Sequence, residues 1–288
     1  MVTYPIRRLS PSDAAALTTL SQAAGWNTTR AQWHRLLRWS GPGAYGIFHA
    51  YKGELLSSAL SFLYEDQRAW LGGVLTLPQW QGQGLASRLM ETVLQPLDRR
   101  GVPEIMLDAT AQGLPLYERF GFRALYPMQR FTSAPGADVV LPVGPRRATP
   151  DDLTALVELD AQIFGAVRRR VIQELLAGEH STVWLLDGAG VALHGAIIAE
   201  RWPEMRARIS GWWASDAAIA ADLLACALGD LGGYTVLLDV PGPNRDAGQV
   251  CLAAGMQPGN ATTRMLRGDG PPSGQVAAYY GAIGLGVG

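Results

Sequence analysis

Residues 78–86 read Pro-Gln-Trp-Gln-Gly-Gln-Gly-Leu-Ala and lie between two patterned stretches. Before them, residues 69–77 (AWLGGVLTL) form a short apolar run with β-branched and aromatic content, which predicts a buried strand. After them, Leu85, Leu89, Val93 and Leu97 recur every four residues through Arg99, which predicts an amphipathic helix. A strand, a Gly-containing turn and a helix in that order aim several free backbone N–H groups and the positive helix end at one spot. That is an anion site of the kind that holds a pyrophosphate. Gly82 and Gly84 let the main chain approach a ligand with no Cβ in the way. The turn lacks the Gly-Lys-Ser/Thr of a P-loop and the six-residue dinucleotide fingerprint. A Gly-x-Gly turn also opens many helices that bind nothing, so the turn alone leaves a structural role open.

The wider pattern is more specific. Gln81-x-x-Gly84-x-Ala86 after a buried strand resembles the Gln/Arg-x-x-Gly-x-Gly/Ala signature of the GNAT acyl-CoA N-acyltransferases, and Pro115-Leu116-Tyr117-Glu118-Arg119-Phe120-Gly121-Phe122 resembles that family's Leu-Tyr-x-x-x-Gly-Phe element. The stretch from Gly25-Trp26-Asn27 through Leu107-Asp108-Ala109-Thr110 to Arg130 is similar to a bacterial subgroup in which a second, degenerate GNAT-like (YitH-type) domain follows the first. Phe164-Gly165-Ala166, Leu238-Asp239-Val240-Pro241 and Arg264-Met265 resemble that second domain. The resemblance implies acetyl-CoA or another acyl-CoA as cosubstrate. The backbone of Val74, Leu75 and Thr76 would pair with the pantetheine arm, and the segment Gln81, Gly82, Gln83, Gly84, Leu85, Ala86, Ser87 would hold the pyrophosphate. Pantetheine carries two amides that need a strand edge, so the implication is physically sound. Tyr117 takes the place of the phenol that serves the departing thiolate; as an ordinary helix tyrosine it would instead face the core. Two positions depart from the family. Trp70 stands where some members carry a catalytic Glu, and Thr110 where an Asn often contacts pantetheine or acceptor. Glu65, Asp66 and Asp108 are the remaining candidate bases, with Asp108 beside the expected splay between neighbouring strands. Asp108 could equally accept hydrogen bonds at a strand end, and a water relay with no essential carboxylate stays open.

These elements are expected to belong to a duplicated chain. IRRLSPSDAAAL (6–17) is echoed by PRRATPDDLTAL (145–156), MLDATA (106–111) by LLDVPG (237–242), and Gln129-Arg130-Phe131 by Thr263-Arg264-Met265. Order and spacing both hold, which predicts a tandem duplication of one α/β unit. Ser10 with Asp13 and Thr149 with Asp152 fit helix N-caps. The length of 288 residues also exceeds what one hydrophobic core usually supports. The expected division is a catalytic domain over 1–135, a second domain over 145–269 and a tail over 270–288. SAPGADVVLPVGP (133–145) acts as linker, and the tail forms an added strand or a segment packed on the body, or else binds a partner. The fold class is α/β (α+β): by the resemblance, two tandem GNAT-like domains, each a mostly antiparallel mixed sheet flanked by helices.

In the second copy the counterpart strand is ARISGWWA (207–214), followed directly by Ser215-Asp216 and a helix, with no Gly-x-Gly turn. Asp216 at the cap would satisfy the free amides itself and repel a pyrophosphate. This copy is expected to brace the first, shape an acceptor cleft or bind a regulatory ligand. Trp202, Trp212 and Trp213 could line a pocket, but are expected chiefly as core.

Composition excludes other classes. With 17% charged and 48% hydrophobic residues the chain is neither disordered nor a coiled coil. A net charge of −1 supplies no field for nucleic acid or an anionic membrane. Two cysteines, Cys226 and Cys251, in apolar stretches read as small hydrophobes rather than a disulfide framework, and His34, His49, His180 and His194 are not spaced for a metal. No apolar run suits a signal peptide or a membrane span, so a cytoplasmic protein is expected. The reading is thus an acyltransferase that moves an acetyl or other short acyl group from CoA to a small-molecule or peptide amine by direct attack, with no metal; monomer or homodimer is left open. The alternatives are a non-catalytic acyl-CoA sensor and a regulatory or interaction protein on the same fold.

Overall fold

The computed structural model describes residues 4–65, 67–136, 141–188, 190 and 192–288. The first half runs β1 (Ile6–Arg8), α1 (Ala14–Ala23), α2 (Arg30–Ser40), β2 (Ala44–Phe48), β3 (Leu55–Tyr64), β4 (Arg68–Thr76), α3 (Leu85–Arg99), β5 (Glu104–Ala109), α4 (Leu114–Arg119) and β6 (Arg123–Ser133). The second repeats it element for element: β7 (Arg146–Arg147), α5 (Leu153–Phe164), α6 (Arg169–Leu176), β8 (Ser181–Asp187), β9 (Leu193–Trp202), β10 (Arg206–Ala214), α7 (Ala217–Asp230), β11 (Thr235–Pro241), α8 (Arg245–Ala253) and β12 (Gln257–Arg267). The tail adds β13 (Tyr279–Gly281). The repeated opening block is a clasp. Asp13 accepts the Ser10 amide at 2.9 Å and both terminal nitrogens of Arg7; Asp152 does the same with the Thr149 amide at 2.7 Å and Arg146.

All thirteen strands belong to one mixed sheet, ordered β1-β2-β3-β4-β5-β12-β6-β11-β10-β9-β8-β7, with β13 on β10. Pairing is antiparallel except for β4 with β5 and β10 with β11. The two halves exchange their last strands: β12 pairs with β5, β6 pairs with β11, and β6 and β12 run antiparallel at the centre. Reciprocal ion pairs fix the exchange. Arg264 of β12 grips Asp108 of β5 with two bonds of 3.0 Å, and Arg130 of β6 grips Asp239 of β11 at 2.8 and 3.1 Å. The echoed Arg and Asp motifs are therefore the two ends of bonds made across the copies.

The β4–β5 pairing lasts only from Arg68 against Glu104 to Leu71 against Leu107. There a bulge, with Gly73 at φ +58°, shifts the register against β3 and turns the end of β4 away from β5. The second half repeats the device: β10 and β11 pair over three residues and Gly211 marks the bulge. Each half thus opens a V between two parallel strands.

The tail joins the halves. After β13 it crosses to the first half, where Trp70 donates to the Leu285 carbonyl at 3.1 Å and Tyr64 to that of Val287 at 2.8 Å. Gly72 lies so close to the Gly286 carbonyl that any Cβ would collide with it. The fully buried pair Arg168–Asp160 holds the Gly288 carbonyl at 2.8 Å. Trp70, far from serving as an acid–base position, anchors this tail and lies 4.6 Å under the Arg264 guanidinium. The tail is thus packed on the body, and Trp212 and Trp213 are wholly buried core residues, as are the free cysteines Cys226 and Cys251. The linker's residues 137–140 lie outside the described residues.

Candidate active site

The predicted helix is α3, and Leu85, Leu89, Val93 and Leu97 form its buried stripe. At its start Gly84 is the N-cap residue in the left-handed region at φ +77°, and no side chain caps it. Among the described residues the amides of Gly82, Gln83, Gly84, Leu85, Ala86 and Ser87 donate to no protein oxygen; the first returning bond is Arg88 N–H to the Gly84 carbonyl at 3.1 Å. Six amides left free on an exposed turn, at the positive end of a fifteen-residue helix, suit a polyanion. Gln81 ties the turn to its surroundings, donating to the Thr76 carbonyl at 3.3 Å and accepting from Gln112 at 3.2 Å.

Beside the turn lies the open arm of the V. Ser58 donates to the Gly73 carbonyl and Ser57 to the Leu75 carbonyl, both at 2.7 Å, so these carbonyls face β3. Alternation then turns the backbone groups of Val74 and Thr76 toward the gap, where no strand pairs with them. An extended amide chain laid there would complete the sheet.

A cavity of about 510 Å³ opens from this gap. Val74, Thr110, Tyr117 and Asp108 line it from the first half, with Trp26 and Asn27 from the loop between α1 and α2. Tyr117 projects from α4 with its ring wedged between Gly113 and Phe122, and its hydroxyl bonds to no described residue. Burial pushes its hydroxyl up to about 12. It is both a largely buried helix residue and a wall of the cavity, so the two readings of this position are compatible.

The candidate bases fare differently. Glu65 is exposed in the β3–β4 turn, at the end of β4 opposite the V, and does not line the cavity. Asp66 lies outside the described residues. Asp108 reaches the cavity wall, but both its oxygens accept from Arg264. Burial raises its carboxyl from the ordinary value, and Arg264 opposes that rise. Its principal bonds are those of a strand-end acceptor.

Of the far wall, sequence reasoning named only Trp202, and that chiefly as core, whereas it is half-buried and lines the cavity. Glu200, Trp202, Arg206, Arg208 and Ser210 of β9 and β10, with Thr262 of β12, line the same cavity. Residues 206, 208 and 210 share one face of β10, and that polar alternation was visible within a strand already identified. The tail's contribution, Ile283 to Val287, had no comparable signal.

The second half has lost each feature in turn. Asp216 caps α7, its Oδ1 accepting the Ile219 amide at 3.0 Å. Cys251 stands where Tyr117 would: Met256 N–H bonds its carbonyl as Phe122 N–H bonds that of Tyr117. The V itself is filled, because β13 pairs with Trp212 and Trp213 at the positions matching Val74 and Leu75. Asn244 clamps this inserted strand through the carbonyls of Ala277 and Tyr279, at 2.9 and 3.2 Å. No group of three or more His, Cys, Asp or Glu among the described residues is placed to hold a metal ion, and none of their helices is long and apolar enough to cross a membrane.

Two family models match the chain: the acetyltransferase (GNAT) family over residues 15–122 and an acetyltransferase (GNAT) domain over 156–281. No curated protein matches it. Among solved structures, a candidate acetyltransferase from Pyrococcus horikoshii is similar over 100% of this chain and 97% of its own, with TM-score 0.85 and 21% identity. A GCN5-related N-acetyltransferase from Sphaerobacter thermophilus matches over 95% and 98% (TM-score 0.68, 19% identity). A tandem GNAT protein from the clavulanic acid biosynthesis pathway matches over 93% and 99% (TM-score 0.65, 15% identity).

Proposed function

The chain belongs to the GNAT superfamily, with two such domains in tandem, and from that premise we propose that its first half transfers an acetyl or other short acyl group from CoA to an amine. The observation that carries the reading is that six unpartnered amides follow directly on the strand whose edge is open at Val74–Thr76, and that Val74 and Tyr117 line one cavity together. The amides of Gly82 to Ser87 hold the pyrophosphate, and the edge of β4 receives the pantetheine amides with Thr110 beside them. The thioester then lies at the bulge, facing the cavity. The amine, in its neutral form, attacks the thioester carbonyl: a C–N bond forms, the C–S bond breaks, and the electron pair leaves on sulfur. Tyr117 donates a hydrogen bond to that thiolate. With Asp108 engaged by Arg264, the proton released from nitrogen passes to cavity water.

A second reading, an acyl-CoA-binding protein without turnover, is favoured by one observation. Trp70 holds the tail at the strand position where a carboxylate base would stand. Mixing the protein with acetyl-CoA and a panel of amines, with thiol release as readout, separates them. Amine-dependent release supports transfer; tight acetyl-CoA binding with no release for any amine supports the sensor.

A further inference from the structure

We infer that the acceptor amine carries a carboxylate, which the second half binds on the far wall of the cavity. This rests on the proposed acyl transfer and names its substrate class. The wall carries an excess of positive charge. Of the guanidinium groups on or just behind the wall, Arg35 is met by Glu200 at 2.5 Å and Arg264 by Asp108. Arg130 and Arg208 share one carboxylate, Asp239, at 2.8 and 2.6 Å. Arg206 forms no ion pair or hydrogen bond among the described residues. Two positive charges are left without a counter-charge around a half-enclosed cavity, where screening is weak and an anion is strongly favoured.

The wall also holds unspent hydrogen-bonding capacity. Trp202 Nε1, Ser210 Oγ and Thr262 Oγ1 are buried, belong to residues that line this cavity and have no partner among the described residues. Buried polar atoms are nearly always paired, so three orphans beside one cavity mark a place for a polar group. Indole N–H, guanidinium and hydroxyl groups can all donate, and a carboxylate offers about four acceptor positions to them. Across the cavity the thioester site begins at Gly72–Val74 and Tyr117, so one molecule with an anion at one end and an amine at the other spans the two walls. The same cations disfavour an ammonium nearby, which raises the fraction of neutral nucleophile. This gives the second half a role that its filled V and capped helix leave open.

The test uses the full chain with saturating acetyl-CoA and the common amino acids, each beside its carboxamide. The expected result is at least one amino acid acetylated with kcat/KM about tenfold or more above its carboxamide. Arg206→Gln should shrink that ratio by about tenfold, and Arg206→Lys should restore part of it. Melting temperature and acetyl-CoA titration report whether each variant folds, and Ser210→Ala offers a second, milder probe of the same wall. Carboxamides accepted as well as the acids would overturn the inference while leaving acyl transfer intact. No transfer to either series would contradict the transfer reading instead. Calorimetry with N-acetyl amino acids then decides the anion site: binding weakened by Arg206→Gln supports it, and no binding overturns it.

Discussion

Tyr117, with its hydroxyl raised to about 12 by burial, is a poor acid and a persistent donor. It stays protonated throughout the working pH range, so in the proposed transfer its part would be a hydrogen bond to the leaving thiolate rather than a completed proton transfer. Tyr117→Phe removes that bond and keeps the ring. General-acid groups contribute about 10²–10⁴-fold, and the raised hydroxyl points to the lower end. The single-turnover rate with a saturating amine should therefore fall about a hundredfold while acetyl-CoA affinity holds; a change under about threefold would leave Tyr117 a packing residue. Asp239 yields a prediction about pH. Burial alone would raise its carboxyl, but Arg208 and Arg130 together hold it below the ordinary value. A lowered folded-state value means stability present above the unfolded carboxylate range, near 4, and lost as pH falls through and below it. Asp239→Asn leaves two buried or half-buried guanidiniums without their partner, a loss of about 3–5 kcal/mol at pH 7. Thermal melts should show the gap between wild type and variant narrowing as pH drops from 5 toward 2; a gap independent of pH would mean the pair is not what stabilises the exchange.

At the scale of elements, what the sequence disclosed and what it hid divide along a physical line. The strand–turn–helix of β4, Gly82–Gly84 and α3 was legible because each part is set by local chemistry: a buried apolar run, two glycines at positive φ and a four-residue repeat. The lost turn of the second half was legible for the same reason. The strand exchange was not. β6 and β12 carry Arg at matching positions, and either could serve either Asp, so nothing local distinguishes pairing within a copy from pairing across copies. The path of the tail was hidden too, since a Gly-rich apolar segment takes its direction from the groove that receives it. Its fit is tight, and Gly72→Ala would drive a methyl group into the Gly286 carbonyl. Overpacking of this kind costs about 1–3 kcal/mol. The melting midpoint should fall accordingly, and an unchanged midpoint would show the tail free to move away from β4.

For the whole molecule, duplication followed by divergence has left one open V and one closed by the chain itself. In the first half the gap between parallel strands stays open and six free amides follow β4; in the second, β13 occupies the gap and Asp216 occupies the helix start. The cavity beside the open V is walled by both halves and by the tail, so the half with the filled V still shapes it. The proposed cosubstrate site lies in the first half alone. Calorimetric titration with acetyl-CoA, on wild type and on Gly84→Glu, checks this placement. The variant sets a negative side chain at the free amides, and its strain at positive φ costs about 1–2 kcal/mol, which a stable fold tolerates. About one acetyl-CoA per chain is expected in the wild type, and none measurable in Gly84→Glu with its melting transition retained. Two equivalent sites, or a site that survives Gly84→Glu unchanged, would contradict it.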